Sequence, residues 1–169
     1  MDSRPDEIYT VKLEGAQLLG HRAITICGTR DPGLIAQFDS FLESVRENVS
    51  TKASAFGVAP EDYRLNIRVY GRDGVMGARE KVKQTLSHEL GVVAEVIADD
   101  QETANDVLAM ARPQLLHVDF PGRLCKEGNM ALPFSPSDIS CGPVYRFNVF
   151  HVVQLDDPLS IFPIEYESL

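Results

Sequence analysis

Arg123 and Lys126 stand close together in a stretch that also carries Gly122 and Gly128. A guanidinium beside an ammonium suits a carboxylate or phosphate, because arginine offers one anion two parallel N–H groups. Glycines at 122, 128 and 142 would let backbone N–H groups approach the same anion, although each equally suits a turn. A few residues on, Asp138 supplies a carboxylate for proton transfer, and Asn129, Ser135 and Ser137 supply amide or hydroxyl groups that polarise a carbonyl. On this reading Asp138 and Ser137 do the chemistry, while Arg123, Asn129 and Ser135 hold the substrate. The competing account is local. Ser-Pro-Ser-Asp is also an ordinary turn-and-cap sequence whose side chains bond their own backbone. An Arg–Lys pair in a loop is equally a solvated surface feature.

Other chemistries have thinner support. His117, Asp119 and His151 are the residue types of a two-histidine, one-carboxylate metal site, but His151 falls on the apolar side of a strand, where a packed histidine is the commoner occupant. The glycine-rich VYGRDGVMG (69–77) follows a strand, yet lacks both the Gly-Lys-Ser/Thr ending and the G-x-G-x-x-G spacing of phosphate loops; a tight turn at Arg72–Gly74 accounts for it better. No serine, histidine and aspartate follow in triad order, and nothing beside Cys125 or Cys141 would activate a thiol. Neither a metal nor a cofactor is expected.

The elements that must position these groups follow from periodicity. IYTVKLEGAQLL (8–19) alternates as a half-buried strand, and RAITICGT (22–29) reads as a second one. Asp31 and Pro32 then open a helix whose stripe of Leu34, Ile35, Phe38, Phe41, Leu42 and Val45 predicts an end near Asn48, with 49–62 as loop. YRLNIRVY (63–70) and GVVAEVIA (91–98) are strands, and 78–88 suits a short polar helix. Asp99 or Asp100 caps a further helix through Leu115, which Pro113 should kink or end. VYRFNVFHVVQL (144–155) alternates as the last strand. With 8–19 set aside as an added strand, the order β-α-β-β-α-β predicts a ferredoxin-like α+β fold, with an antiparallel sheet and both helices on one face. The whole of 1–169 reads as one domain. Residues 118–143 form a loop too long for a minimal fold, and loops of that length bind, cover or assemble something.

Composition narrows the partners. A hydrophobic fraction of 44% suits a globular chain rather than a disordered one. A net charge of -9 speaks against nucleic acid and against an anionic membrane surface, while leaving room for one small anion held by a local basic pair. The polar start MDSRPDEIYT has no apolar signal core, no run is long enough to span a bilayer, and three cysteines make no disulfide framework; a cytoplasmic chain with reduced thiols is expected.

VKLEGA, GTRDP, VYGRDGVMG, FPGR, GN-x-A-x-PFSPSDI, GPVY and the closing DDPL-x-x-FP resemble the acyclic terpene utilisation (AtuA-like) family, from about Tyr9 to Pro163. PFSPSDI and GPVY are the most specific of these blocks. The resemblance implies a place in bacterial catabolism of branched or terpenoid acids, often as CoA thioesters, with a hydratase or dehydratase role. Members of the family are longer, and this chain is similar to their C-terminal region. The resemblance therefore implies a larger AtuA-like subunit or N-terminal domain as partner, an oligomeric assembly, and a carboxylic acid or acyl-CoA as ligand. Arg123, Asn129, Ser135, Ser137 and Asp138 match its pattern, whereas Cys125 and Cys141 do not belong to it. In the hydro-lyase reading Arg123 holds the anion, Asp138 moves a proton, and Asn129 with Ser137 orients the substrate. In the alternative, a non-catalytic assembly module, the 118–143 loop docks through Phe120, Leu132 and Phe134. A third reading, a stand-alone small-ligand sensor, rests on fold analogy alone.

Overall fold

The structure, a computed structural model, describes residues 8–157, 161 and 165–167. Part of the closing DDPL-x-x-FP block lies outside them. The described residues contain three α-helices and a four-stranded antiparallel open sheet, an α+β arrangement. In chain order these are β1 (Thr10–Thr29), α1 (Pro32–Ala36), α2 (Phe38–Ala55), β2 (Tyr63–Tyr70), β3 (Leu90–Ala98), α3 (Gln101–His117) and β4 (Asp138–Gln154), with strands ordered β2-β3-β1-β4. The chain divides into two compact units, a body of Leu19–Val144 and a second unit drawn from Met1–Leu18 and Tyr145–Leu169.

Registers in the body show how its core is layered. Ala23, Val96 and Leu65 lie in one row and Cys27, Val92 and Val69 in another, so alternate residues of three strands share one face. That face carries the buried Ala23, Cys27, Val69, Leu90, Val92, Ala94 and Val96, and α2 and α3 contribute Phe41, Val45, Val49, Val107, Leu108 and Leu115 to the same core. On the opposite face Glu95 is 4% exposed and is held between Arg22 (2.7 Å) and Arg68 (3.1 Å), with Asn66 donating to it at 3.1 Å. Arg22 Nε is buried without an aligned hydrogen bond, so its approach to Glu95 is chiefly coulombic.

Four expectations need correction. The strands read at 8–19 and 22–29 are one strand, β1, continuous through Gly20. Gly20 adopts φ +133°, and a Cβ there would lie 2.3 Å from the Ala98 carbonyl oxygen, so glycine marks a close approach rather than a break. The first helix is two: α1 ends at Ala36, and α2 runs beyond Asn48 to Ala55 because Val49 and Ala53 continue its buried stripe. Pro113 neither ends nor interrupts α3, which continues to His117. The lost backbone bond and ring clash cost about 3 kcal/mol, and burial of the apolar Ala111 and Leu115 on either side acts against that cost. Finally, 78–88 holds only a short 3-10 turn, Gly77–Arg79, and the irregular segment before β4 spans 118–137 because β4 begins at Asp138. Both predicted caps are present: Asp31 accepts from the Gly33 and Leu34 N–H groups, and Asp100 from Thr103. The bonds from Thr103 hold the Asp100 carboxyl below its ordinary pKa.

The second unit is a ribbon made from the first half of β1 and the second half of β4. Leu155 N–H donates to the Tyr9 carbonyl, Arg146 to Gln17, and the Lys12 ammonium sits 4.4 Å from the centre of the Phe150 ring. Segment 8–19 thus finds its strand partner within the chain.

Candidate functional site around Arg30

The carboxyl end of β1 and the segment 118–137 meet through a reciprocal bridge, Gly28 N–H to Ala131 O at 2.9 Å and Ala131 N–H to Gly28 O at 2.7 Å. Several further contacts fasten the segment. Phe120 and Met130 are buried in the core, and Phe120 meets Phe41 edge-on at 6.4 Å. Gln37, between α1 and α2, donates to the Pro121 carbonyl at 2.9 Å. Asn129 is tied twice, its N–H to Leu116 O at 2.8 Å and its Nδ2 to Val118 O at 2.7 Å. Such a segment is part of the body rather than a loose flap.

Arg123 is occupied by the segment itself. Nε donates to Cys125 O at 2.8 Å, Nη1 to His117 O and Nη2 to Lys126 O, both at 3.2 Å, and Asp119 lies 3.9 Å away. A guanidinium shared among three carbonyls sets the path of the chain from 117 to 126 and keeps few donors for a ligand. Arg30 differs: it is exposed at the junction of β1 and α1, with no hydrogen bond or ion pair among the described residues. It borders three clefts of about 310, 360 and 850 Å³. The smallest is also lined by Arg123, Cys125 and Asn129, whose Oδ1 is buried without a partner. The cleft thus combines the Arg30 guanidinium, the Asp31 carboxylate, an unsatisfied amide acceptor and an exposed thiol; the guanidinium suits the anionic end of a ligand, and the amide oxygen suits an N–H or O–H donor on the same ligand.

Of the five residues singled out in the sequence, this cleft brings together Arg123 and Asn129. Ser135, Ser137 and Asp138 do not line it. Ser135 is exposed, and the Ser137 carbonyl accepts from the Thr25 hydroxyl at 3.0 Å. Asp138 begins β4, where Arg112 Nε on α3 reaches both its oxygens at 3.0 Å. Both partners are about one-third exposed, so the pair contributes about 1 kcal/mol to stability. Ala substitutions at Arg112 and Asp138, singly and together, should show a coupling of that size in chemical denaturation. Additive losses would mean the pair does not hold β4 to α3. In the sequence Arg30 is overshadowed by the neighbouring Asp31-Pro32 helix start, and its one signal is an arginine just past a strand end.

Among the described residues, no three histidine, cysteine or acidic side chains gather as a metal site would require, and no helix is long and apolar enough to cross a membrane. Cys27 is buried, and desolvation pushes its thiol from the ordinary 9.0 to about 12. Between those values the unfolded chain has released this proton and the folded chain still holds it. Stability should therefore be unaffected by this thiol below pH 9 and fall as pH rises from 9.0 towards 12. Cys27→Ala should flatten that slope in denaturation measured across pH. Alkylation of the folded chain near neutral pH should label the exposed Cys125 and Cys141 and spare Cys27.

Comparison with protein-family models, with curated proteins and with solved structures finds no match to this chain.

Proposed function

We propose that this chain is a subunit or domain of a larger AtuA-like enzyme, and that the ribbon of 10–18 and 145–154 is the arm by which it docks on that larger polypeptide. The observation that carries the reading is the exposure on one short ribbon of Phe147 (73%), Phe150 (70%), Val152 (60%) and Tyr145 (58%). Strand alternation puts Tyr145 and Phe147 on one face of the ribbon and Phe150 and Val152 on the other, and apolar side chains left exposed on both faces of a two-stranded ribbon mark a contact surface. The order β-α-β-β-α-β with strands β2-β3-β1-β4 supports a ferredoxin-like reading of the fold. Acidic composition and three unpaired cysteines support a cytoplasmic location.

In this reading the larger enzyme is a hydratase or dehydratase acting on a carboxylic acid or acyl-CoA, as the resemblance implies, and the chain itself is not a complete catalyst. Two carboxylates that could serve it already serve the fold: Asp31, which lines the smallest cleft, caps α1, and Asp138, away from that cleft, pairs with Arg112. A second reading, in which 118–137 helps line the lyase site, is favoured by the cleft that Arg30 shares with Arg123 and Asn129. There Arg30 holds the anionic end of the substrate and Asn129 orients it.

Purification from the native host under gentle conditions tests the main reading. A stoichiometric larger partner is expected. A chain that emerges alone as a defined homo-oligomer would refute it. In the assembled enzyme, Arg30→Ala raising KM with kcat unchanged would favour the shared-site reading over pure docking.

A further inference from the structure

The largest of the clefts bordered by Arg30, about 850 Å³, runs between the α1–α2 junction and the irregular segment 83–88. Three cations face it from three separate parts of the body: Arg30 at the end of β1, Arg72 in the turn after β2, and Lys83. Arg72 is partly spent, with Nη1 on Asp39 at 2.6 Å and Nη2 on Asp73 at 3.3 Å, but its Nε is buried without an acceptor among the described residues. Lys83 gives one proton to the Glu80 carbonyl at 2.9 Å and keeps two, while Arg30 keeps all of its donors. Thr85, Ser87 and His88 line the same wall, and Pro32, Ile35 and Ala36 supply an apolar side.

From this convergence we infer that the groove is a binding site for a phosphate-bearing organic molecule, with the phosphate on Arg30 and Lys83 and the organic body against Pro32 and Ile35. A phosphate is favoured over a carboxylate because donors arrive from several directions, matching three terminal oxygens rather than a planar pair. The volume is that of a small-molecule site rather than of one bound ion. Asp39 is the one acid among the described residues that line the groove and is paired with Arg72, so the groove keeps a local positive charge in a chain whose net charge is -9, where an anion is held against the overall field. The inference does not depend on the ribbon or on the larger partner, since every residue named belongs to the body.

Phenyl phosphate, inorganic phosphate and phenylacetate, titrated into the whole chain at constant ionic strength and followed by calorimetry, test it. Phenyl phosphate should bind more tightly than inorganic phosphate, which lacks the apolar part, and more tightly than phenylacetate, which lacks the third oxygen. Arg30→Ala and Lys83→Ala should each weaken phenyl phosphate binding roughly tenfold, the loss of one charge-assisted contact. Both residues are exposed, so the variants should melt with the parent. Equal binding of phenyl phosphate and phenylacetate would overturn the inference, as would binding unchanged in the Arg30→Ala/Lys83→Ala double variant. A response that sodium chloride reproduces at the same concentration would overturn it as well.

Discussion

Replacing Phe147 and Phe150 together by serine should abolish association with the larger polypeptide while leaving the melting transition of the body unchanged. These side chains are 73% and 70% exposed, so the isolated chain loses little buried area when they shrink. In an assembly each would bury most of a phenyl ring, contributing about 1.5–3 kcal/mol, and aromatic residues of this kind dominate interface energies. Losing about 4 kcal/mol in total weakens a complex roughly a thousandfold. Phe147 should carry the larger share, because Lys12 already sits over the Phe150 ring at 4.4 Å and satisfies part of that face. The measurement is mass by light scattering of the co-expressed pair, with the Leu124→Ser variant as an exposed apolar control elsewhere. An intact complex with the double variant would remove the ribbon from the interface.

The second large effect lies in the core. Phe41→Ala should cost about 3–5 kcal/mol in chemical denaturation, the usual range for emptying a buried aromatic site. Phe41 is 2% exposed and packs against Phe38 at 5.6 Å and edge-on against Phe120 at 6.4 Å. Phe120 anchors the 118–137 segment, so the same change should also loosen that segment. Proteolysis near Leu124 should accelerate beyond what the global loss of stability predicts. If cleavage there only tracked global unfolding, the Phe41–Phe120 contact would not be what fastens the segment.

Much of the fold could be read before any coordinates. YRLNIRVY became β2 with its predicted bounds, β3 differs by a single residue, and Asp31 and Asp100 cap the helices they precede. These features are local: a period of two, a period near 3.6 or an N-cap is complete within a few residues, so the sequence determines them without reference to distant chain. Val49 and Ala53 were legible too, as a continued stripe, but the small polar residues around them hid the signal. The sequence shows an irregular stretch over 118–143 rich in polar residues, but not that β4 already begins at Asp138, because Ser-Pro-Ser-Asp reads as a turn.

Only the tertiary structure decided what those polar groups touch. Whether Arg123 faces a ligand or three backbone carbonyls, and whether Asp138 stands alone or meets Arg112, depends on residues brought together by folding. The gap between 8–19 and 22–29, and Pro113, both read as breaks when judged alone, since the intrinsic costs of glycine and proline are certain and the contacts that outweigh them lie elsewhere in the chain. At Gly20 the compensation is the close pass of Ala98 across the β1–β3 pair; at Pro113 it is the burial of Ala111 and Leu115 on either side. Arg30 is the converse case, a residue whose only local signal is its place just past a strand end and whose importance comes from having no partner among the described residues where it borders three clefts. The sequence thus determined the elements and the donors and acceptors available, while the fold decided which were consumed in holding it together and which remained for a ligand, because hydrogen-bond partnership is settled by proximity in space and not along the chain.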